Sequence, residues 1–357
     1  MEKQTFGAVE AYAYQDIIPT ASEAHSIPIF TNGEGDTIPY QQSTDRLLLA
    51  SKGMKKVYLS WTEKLPIFQS STNIHLGKIQ GDTTVSLQTE KRPEALIKPV
   101  RPMYYQAEGP MWENDVIAFR TYWDQRNGFD IFGKRTSSMI LDQVGKEENY
   151  HELQSWGMDI LKVGNSLGAG AIGIKIGEEV FRLGDTAEEQ FRVLHEGPLY
   201  SSFELLYKGW QVKDRTYNVS RVISIYKGLS GYISSITVDG LQGDESLVTG
   251  MVNLHNKEFF QKTINDQEVL YTFDAQAEMD KYLGMAVSAP ATQVVAVGNI
   301  EALTSEISDS WYMELRFPKE QQPITYTFWA DWELREGGVK DKISFEGLLT
   351  TQLEEMP

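Results

Sequence analysis

The stretch FRVLHEGPLYSSFELLYKGW (191–210), followed by VSRVISIYKG (219–228) and GYISSITVDG (231–240), decides the fold class. Aromatic and β-branched residues recur there at alternate positions, and short polar, glycine-containing segments separate the runs. A period of two buries one face of an extended chain, so such runs read as strands of an antiparallel sheet. Upstream, LLLAS (47–51), KKVYLSW (55–61), NIHLGKIQ (73–80) and TTVSLQTE (83–90) follow one another as in a meander. Downstream, LVTGMVNL, EVLYTFDA, TQVVAVGN, WYMELRF and ITYTFWADWE continue the pattern to residue 333. The series predicts an all-β protein, an antiparallel β-sandwich or supersandwich.

Helix is scarce. DKISFEGLLTTQLEEM (341–356) carries Ile343, Phe345, Leu348, Leu349 and Leu353 at roughly helical spacing, which predicts a short C-terminal helix docked on one sheet. No internal repeat or Pro/Ser linker interrupts the chain. The expected organisation is an extended leader over 1–28 and a single β domain over 29–357, with 29–102 forming a subsidiary β layer.

Composition excludes several classes. The 357 residues suffice for a large core and contain no cysteine, which removes thiolate nucleophiles, disulfides and cysteine-bound zinc. A formal charge of −17 opposes binding to phosphate backbones, so nucleic acid is not an expected partner. No apolar run is long enough to span a bilayer, and MEKQTFGAVEAYAYQDIIPT lacks the features of an export signal. No HExxH or comparable spacing supports a metal, and no cofactor is expected; the oligomeric state is left open.

Two dense stretches carry the chemistry. In WENDVIAFRTYW (112–123), the period of two sets Ile117, Phe119, Thr121 and Trp123 on an apolar face and Val116, Ala118, Arg120 and Tyr122 on the other. Arg120 is thereby placed to grip a carboxylate or sulfate in a cleft, or to pair structurally with Glu113 or Asp115. In YHELQSWGMDILKVGNSLGAGAIG (150–173), His151 stands beside Tyr150 and Glu152, with Asp159 as a second partner able to fix its tautomer. His25, His75, His195 and His255 lack such neighbours, except that His195 adjoins Glu196 and Gly197 at a strand kink. The run Gly164, Gly168, Gly170 and Gly173 matches no phosphate loop and reads as a turn feeding the strand AIGIKIG, with Asn165 and Ser166 able to face a sugar. The eight tryptophans and seventeen tyrosines are compatible with sugar-stacking platforms.

The blocks GPMWENDVIAFR (109–120), YHELQSWGMDILKVGNSLGAGAIG (150–173) and EGPLYSSFELLYKGW (196–210) resemble the signature of the domain of unknown function 4861 family, in order and in spacing. The resemblance covers residue 28 to the C-terminus. It implies an exported carbohydrate-active protein, periplasmic or secreted, with a galactose-mutarotase-like supersandwich fold. The activity it implies is that of an oligosaccharide dehydratase acting on ulvan, which removes water from a saturated uronic acid at the non-reducing end and leaves a 4,5-unsaturated uronate. The third block reads EGPLYSS where a more basic residue near Tyr200 is expected.

That chemistry needs donors on the carboxylate, a base at C5 and an acid for the C4 hydroxyl. By residue type, His151 is the leading proton-transfer group, with Tyr150, Tyr122 or Lys162 as its partner and Arg120 on the carboxylate. Trp112, Glu113, Asn114, Asp115, Tyr122, Asp159 and Asn165 are the expected substrate-binding residues. A polysaccharide lyase, a mutarotase or epimerase, and a non-catalytic sugar-binding protein are the alternatives.

Overall fold

Alternation governs the long strands. Along the strand Arg215–Tyr226 every second residue from Tyr217 to Ile225 is buried, while the residues between them are more open. This strand sits within a nine-stranded antiparallel sheet. Its order is Thr89–Lys91, Glu188–His195, Tyr200–Val212, Arg215–Tyr226, Gly231–Asp239, Ile324–Trp332, Lys281–Pro290, Gln267–Ala277 and Phe260–Ile264. The computed structural model describes residues 3–18, 27–43, 46–146, 148–318 and 322–356.

Two smaller sheets supply the opposing layer. A five-stranded sheet runs Gly157–Asp159, Phe129–Lys134, Ala118–Thr121, Met111–Asn114 and Thr72–His75. A six-stranded sheet is centred on Ala169–Ile176, Glu245–Val252 and Ser310–Arg316. A parallel bridge between Phe129 and Gly168 joins them. One continuous core lies between the layers, drawing Trp112, Phe119 and Ile131 from the first small sheet, Ile172, Leu247 and Met313 from the second, and Phe203, Ile223 and Phe328 from the nine-stranded sheet. The chain is all-β and antiparallel; among the described residues, the Glu179–Arg182 pairing with Thr304–Ser305 is a parallel exception.

The glycine run has a steric reason. Gly168 has φ 56°, and a Cβ there would stand 2.1 Å from the Phe129 carbonyl oxygen, so the bridge between the small sheets requires glycine. Gly170 supplies its carbonyl to the buried Arg221 guanidinium at 2.7 Å.

The C-terminal helix, Lys342–Glu355, starts on a capping box between Asp341 and Ser344. Phe345, Leu349 and Leu353 pack with Tyr271, Ala286 and Trp329 on the outer face of the nine-stranded sheet, and Leu348 lies partly buried against them. Ile343 departs from the expected stripe and is 80% exposed, because two residues of helix turn it about 160° away from the buried Phe345.

The leader also departs from expectation. Lys3–Phe6 and Val9–Ala13 form a hairpin within a four-stranded sheet completed by Arg46–Leu49 and Tyr40–Ser43; residues 19–26 lie outside the described residues. Strands of four and five residues are too short to show a period in sequence. The expected subsidiary layer over 29–102 is divided instead: Thr72–His75 is the edge of the five-stranded sheet, and Thr89–Lys91 is an edge of the nine-stranded one. No helix among the described residues is long and apolar enough to cross a membrane.

The helix docking gives a direct test. Phe345→Ala removes a ring packed over Gly284 and is expected to destabilise by ~3–5 kcal/mol in urea titrations. Ile343→Ala is expected to change stability by no more than about 0.5 kcal/mol.

Candidate functional site

The five-stranded sheet has an inner apolar face and an outer polar one, and the outer face carries the ionisable groups. Arg120 and Asp130 stand opposite each other on the adjacent strands Ala118–Thr121 and Phe129–Lys134. Asp130, Phe132 and Lys134 alternate outward, whereas Phe129 and Ile131 enter the main core. Residues 135–146 and 148–156 follow this strand, and Ile140, Leu141, Val144 and Tyr150 pack with Met111, Ala118 and Phe132 as a roof over the outer face. The roof converts what the alternation marked as a cleft-facing surface into a buried polar layer.

Arg120 is 1% exposed and fully engaged. Its Nε and Nη2 donate to Asp130 Oδ2 at 3.0 and 2.7 Å, and Nη2 also meets Asp159 Oδ2 at 2.7 Å and the Tyr122 hydroxyl at 2.8 Å. Nη1 reaches the Tyr150 hydroxyl at 3.2 Å and the Ala107 carbonyl at 3.5 Å. Burial alone would lower its pKa, but Asp130 and Asp159 outweigh that and raise it well above the ordinary arginine value. The guanidinium therefore has no free edge for a substrate carboxylate. Its carboxylate partners also differ from Glu113 and Asp115, the ones expected from sequence.

The two aspartates share one cation. Burial, reinforced by the nearby Asp159 charge, pushes the Asp130 carboxyl up to about 6, although Arg120 pulls it down. The Tyr122 hydroxyl donates to Asp130 at 2.6 Å, and burial beside this carboxylate raises the phenol's pKa. Asp159 then links the buried layer to the surface. His151 Nδ1 lies 3.3 Å from Asp159 Oδ2, and the imidazole side chain is 61% exposed. The Asp159 hydrogen bond raises the His151 pKa above its ordinary value, against the effect of partial burial. The Tyr150 ring, 4.3 Å from the His151 ring, walls a pocket of about 230 Å³ with Trp156, Val144 and Glu148.

Arg120, Tyr122, Tyr150, His151 and Asp159 are thus brought together, although about thirty residues separate the two segments. Asp130 completes the cluster and went unnoticed in sequence; its signal was the outward position in FDIFGK facing Arg120 across the sheet.

The remaining expected residues lie elsewhere. Trp112 is 0% exposed in the main core, its ring packed against Phe119, Phe129, Phe203 and Tyr232. Glu113 is buried against Lys134 Nζ at 2.6 Å and accepts the Ile140 and Leu141 amides at 2.8 and 2.9 Å. Asn114 caps the Val116 and Ile117 amides and donates to the Tyr226 and Leu229 carbonyls. Asp115 pairs with Lys227 at 2.9 Å and accepts the Gly228 amide. Lys162 is exposed on the segment after Gly157–Asp159. Asn165 bonds to the Glu306 carbonyl and lines a different cavity, of about 480 Å³, with Arg126 and Arg182. Ser166 is buried and bonds to the Val163 carbonyl. Among the described residues, no group of three or more His, Asp or Glu side chains is arranged to hold a metal.

The Asp130 shift fixes the sign of a pH effect. The folded carboxyl titrates at about 6, above the unfolded value of about 3.9, so the native state binds this proton more tightly. Ionising it between about pH 4 and 6 removes stability. Asp130→Asn is expected to flatten that fall, read as denaturant midpoints across the same window.

Comparison with known proteins places the chain. A curated relative, "Uncharacterized protein P7" of Formosa agariphila, is 24% identical over 233 residues, covering 60% of this chain and 54% of its own. The chain thus spans about half the length of that relative. Two solved structures from Enterococcus faecalis overlay loosely. An alpha-mannosidase superposes with TM-score 0.42 at 9% identity, over 99% of this chain and 44% of that one. A glycosyl hydrolase family 38 protein superposes with TM-score 0.39 at 10% identity, over 99% of this chain and 45% of that one. The family model described as "Domain of unknown function (DUF4861)" matches residues 31–357, and the chain therefore belongs to the DUF4861 family.

Proposed function

We propose that the protein is a carbohydrate-active lyase: an oligosaccharide dehydratase that removes water from a saturated uronic acid at the non-reducing end. The observation that carries this reading is the exposed His151 imidazole, held through Nδ1 by Asp159, with its ring 4.3 Å from the Tyr150 ring that walls a pocket together with Trp156. A carboxylate behind an imidazole fixes its tautomer and leaves Nε2 to exchange a proton with a bound sugar. The resemblance to an ulvan-active dehydratase supplies the substrate class.

Each group has a defined role in this scheme. His151 takes the C5 proton. The Tyr150 hydroxyl, which accepts from Arg120 Nη1, is assigned as the acid for the departing C4 hydroxyl. Arg120 acts through Asp159 and Tyr150, positioning both without touching substrate. Trp156 offers a ring face for the sugar. The uronate carboxylate must be met by donors other than Arg120.

One observation favours a second reading. The complete engagement of Arg120 removes the expected carboxylate grip, which suits a sugar-binding protein without turnover.

Incubation with saturated-end uronate oligosaccharides, followed by mass spectrometry, tests the first reading. The expected product has lost one water, carries a new ultraviolet chromophore and leaves the viscosity of intact polymer unchanged. Falling viscosity assigns a polysaccharide lyase, anomer or epimer exchange without a chromophore assigns a mutarotase or epimerase, and binding without product assigns the second reading. His151→Ala is expected to lower kcat by about 10²–10⁴ with the fold intact.

Asp159→Asn tests the role of the pair. Losing the carboxylate removes the hydrogen bond that raises the His151 pKa, so the acidic limb of the kcat/KM profile is expected to move to lower pH. An unmoved limb with reduced activity assigns Asp159 to Arg120 alone.

A further inference from the structure

A second polar cavity, of about 760 Å³, opens over the edge strand Thr72–His75 of the five-stranded sheet. Its lining includes Asn73, His75, Ser86, Asp142, Lys146 and Glu196. Asp142 and Lys146 belong to the same roof whose Val144 and Tyr150 line the 230 Å³ pocket. The roof therefore borders both cavities.

The protonation of His75 follows from its neighbours. Gln106 donates its amide nitrogen to the Leu141 and Val144 carbonyls at 3.0 and 2.6 Å. Carbonyl oxygens only accept, so these two bonds fix the amide and turn its Oε1 toward His75 Nε2, 2.9 Å away. An amide oxygen also only accepts, so Nε2 carries the hydrogen. In a neutral imidazole the lone pair then resides on Nδ1. No donor meets that atom among the described residues. His75 is 6% exposed, and burial lowers its pKa. The Gln106 bond and the Asp142 and Glu113 charges act against that effect, while Lys146 acts with it.

We propose that this cavity is a saccharide-binding centre separate from the His151 pocket, in which His75 Nδ1 accepts a ligand hydroxyl and Lys146 receives an anionic substituent. The lining suits a polyhydroxylated ligand, because Asn73 and Ser86 offer both donors and acceptors while Asp142 and Glu196 accept. The ligand class rests on the carbohydrate reading above; the geometry at His75 is independent of His151.

The test is imidazole ¹⁵N NMR on the full chain, titrated with methyl β-glucoside and methyl β-glucuronide. The expected spectrum shows His75 as the Nε2–H tautomer, with its Nδ1 resonance moving as either sugar is added. His75→Gln keeps a nitrogen donor for Gln106 Oε1 but loses the Nδ1 acceptor, so the melting temperature should hold while sugar affinity falls about tenfold. Lys146→Gln should weaken the glucuronide alone. An Nδ1–H tautomer, an unresponsive His75 with both sugars, or wild-type affinity in His75→Gln overturns the proposal. Dehydration of uronate oligosaccharides without a His75 response sinks this centre and leaves the dehydratase reading standing. A His75 response without dehydration does the reverse.

Discussion

One buried cation organises the candidate site. Arg120 sits where water cannot solvate it, so its charge and its donors must be answered by the protein, and an unanswered guanidinium there would be strongly destabilising. Asp130 answers from the neighbouring strand, Asp159 from the sheet edge beyond it, and Tyr150 from the roof. These partners come from separate parts of the chain, so satisfying the cation fixes the register of the Ala118–Thr121 and Phe129–Lys134 strands and the seating of the roof together. His151 inherits its position from that arrangement, because the carboxylate holding it is already held by Arg120.

The fold class was legible because a period of two is a local property that long strands display directly. Arg215–Tyr226 shows it at Tyr217, Val219, Ile223 and Ile225, with the buried Arg221 as the polar exception, and the C-terminal helix was readable from its spacing and from Asp341 and Ser344 at its start. The hairpin over Lys3–Ala13 was not legible, since its strands contain only four and five residues and gain their identity by pairing with Arg46–Leu49. The site was half legible. The alternation put Arg120 on the correct face of its strand, but nothing in the local sequence states whether that face meets solvent or a roof. The roof is a tertiary event, and its anchors, Gln106 and Glu113, lie some 30 residues from the peptide groups they hold.

The polar density of the first stretch has a structural explanation. Glu113, Asn114 and Asp115 face two different parts of the protein: Glu113 meets the roof and Lys134, and Asn114 and Asp115 both hold the turn from Tyr226 to Leu229. Each satisfies backbone amides, Glu113 and Asp115 meet side chains too, and Asn114 also answers two carbonyls, which is how a strand end can be buried without orphaned donors. The proposed proton transfer and the construction are thus divided between the stretches, with His151 exposed on one and Glu113, Asn114 and, in part, Asp115 enclosed in the other. A count of titratable residues per segment does not separate those roles; burial and partner identity do.

The anchoring of the roof has a dynamic consequence. Residues 139–146 contain no strand or helix, and such a segment ordinarily exchanges its amide hydrogens with solvent as fast as a surface loop. Here the Ile140 and Leu141 amides end on a carboxylate that is itself neutralised by Lys134 and 0% exposed. Deuterium can reach them only when the ion pair is uncovered. Their exchange therefore requires the roof to lift from Glu113, and these two amides are expected to exchange more slowly than those of an unanchored loop.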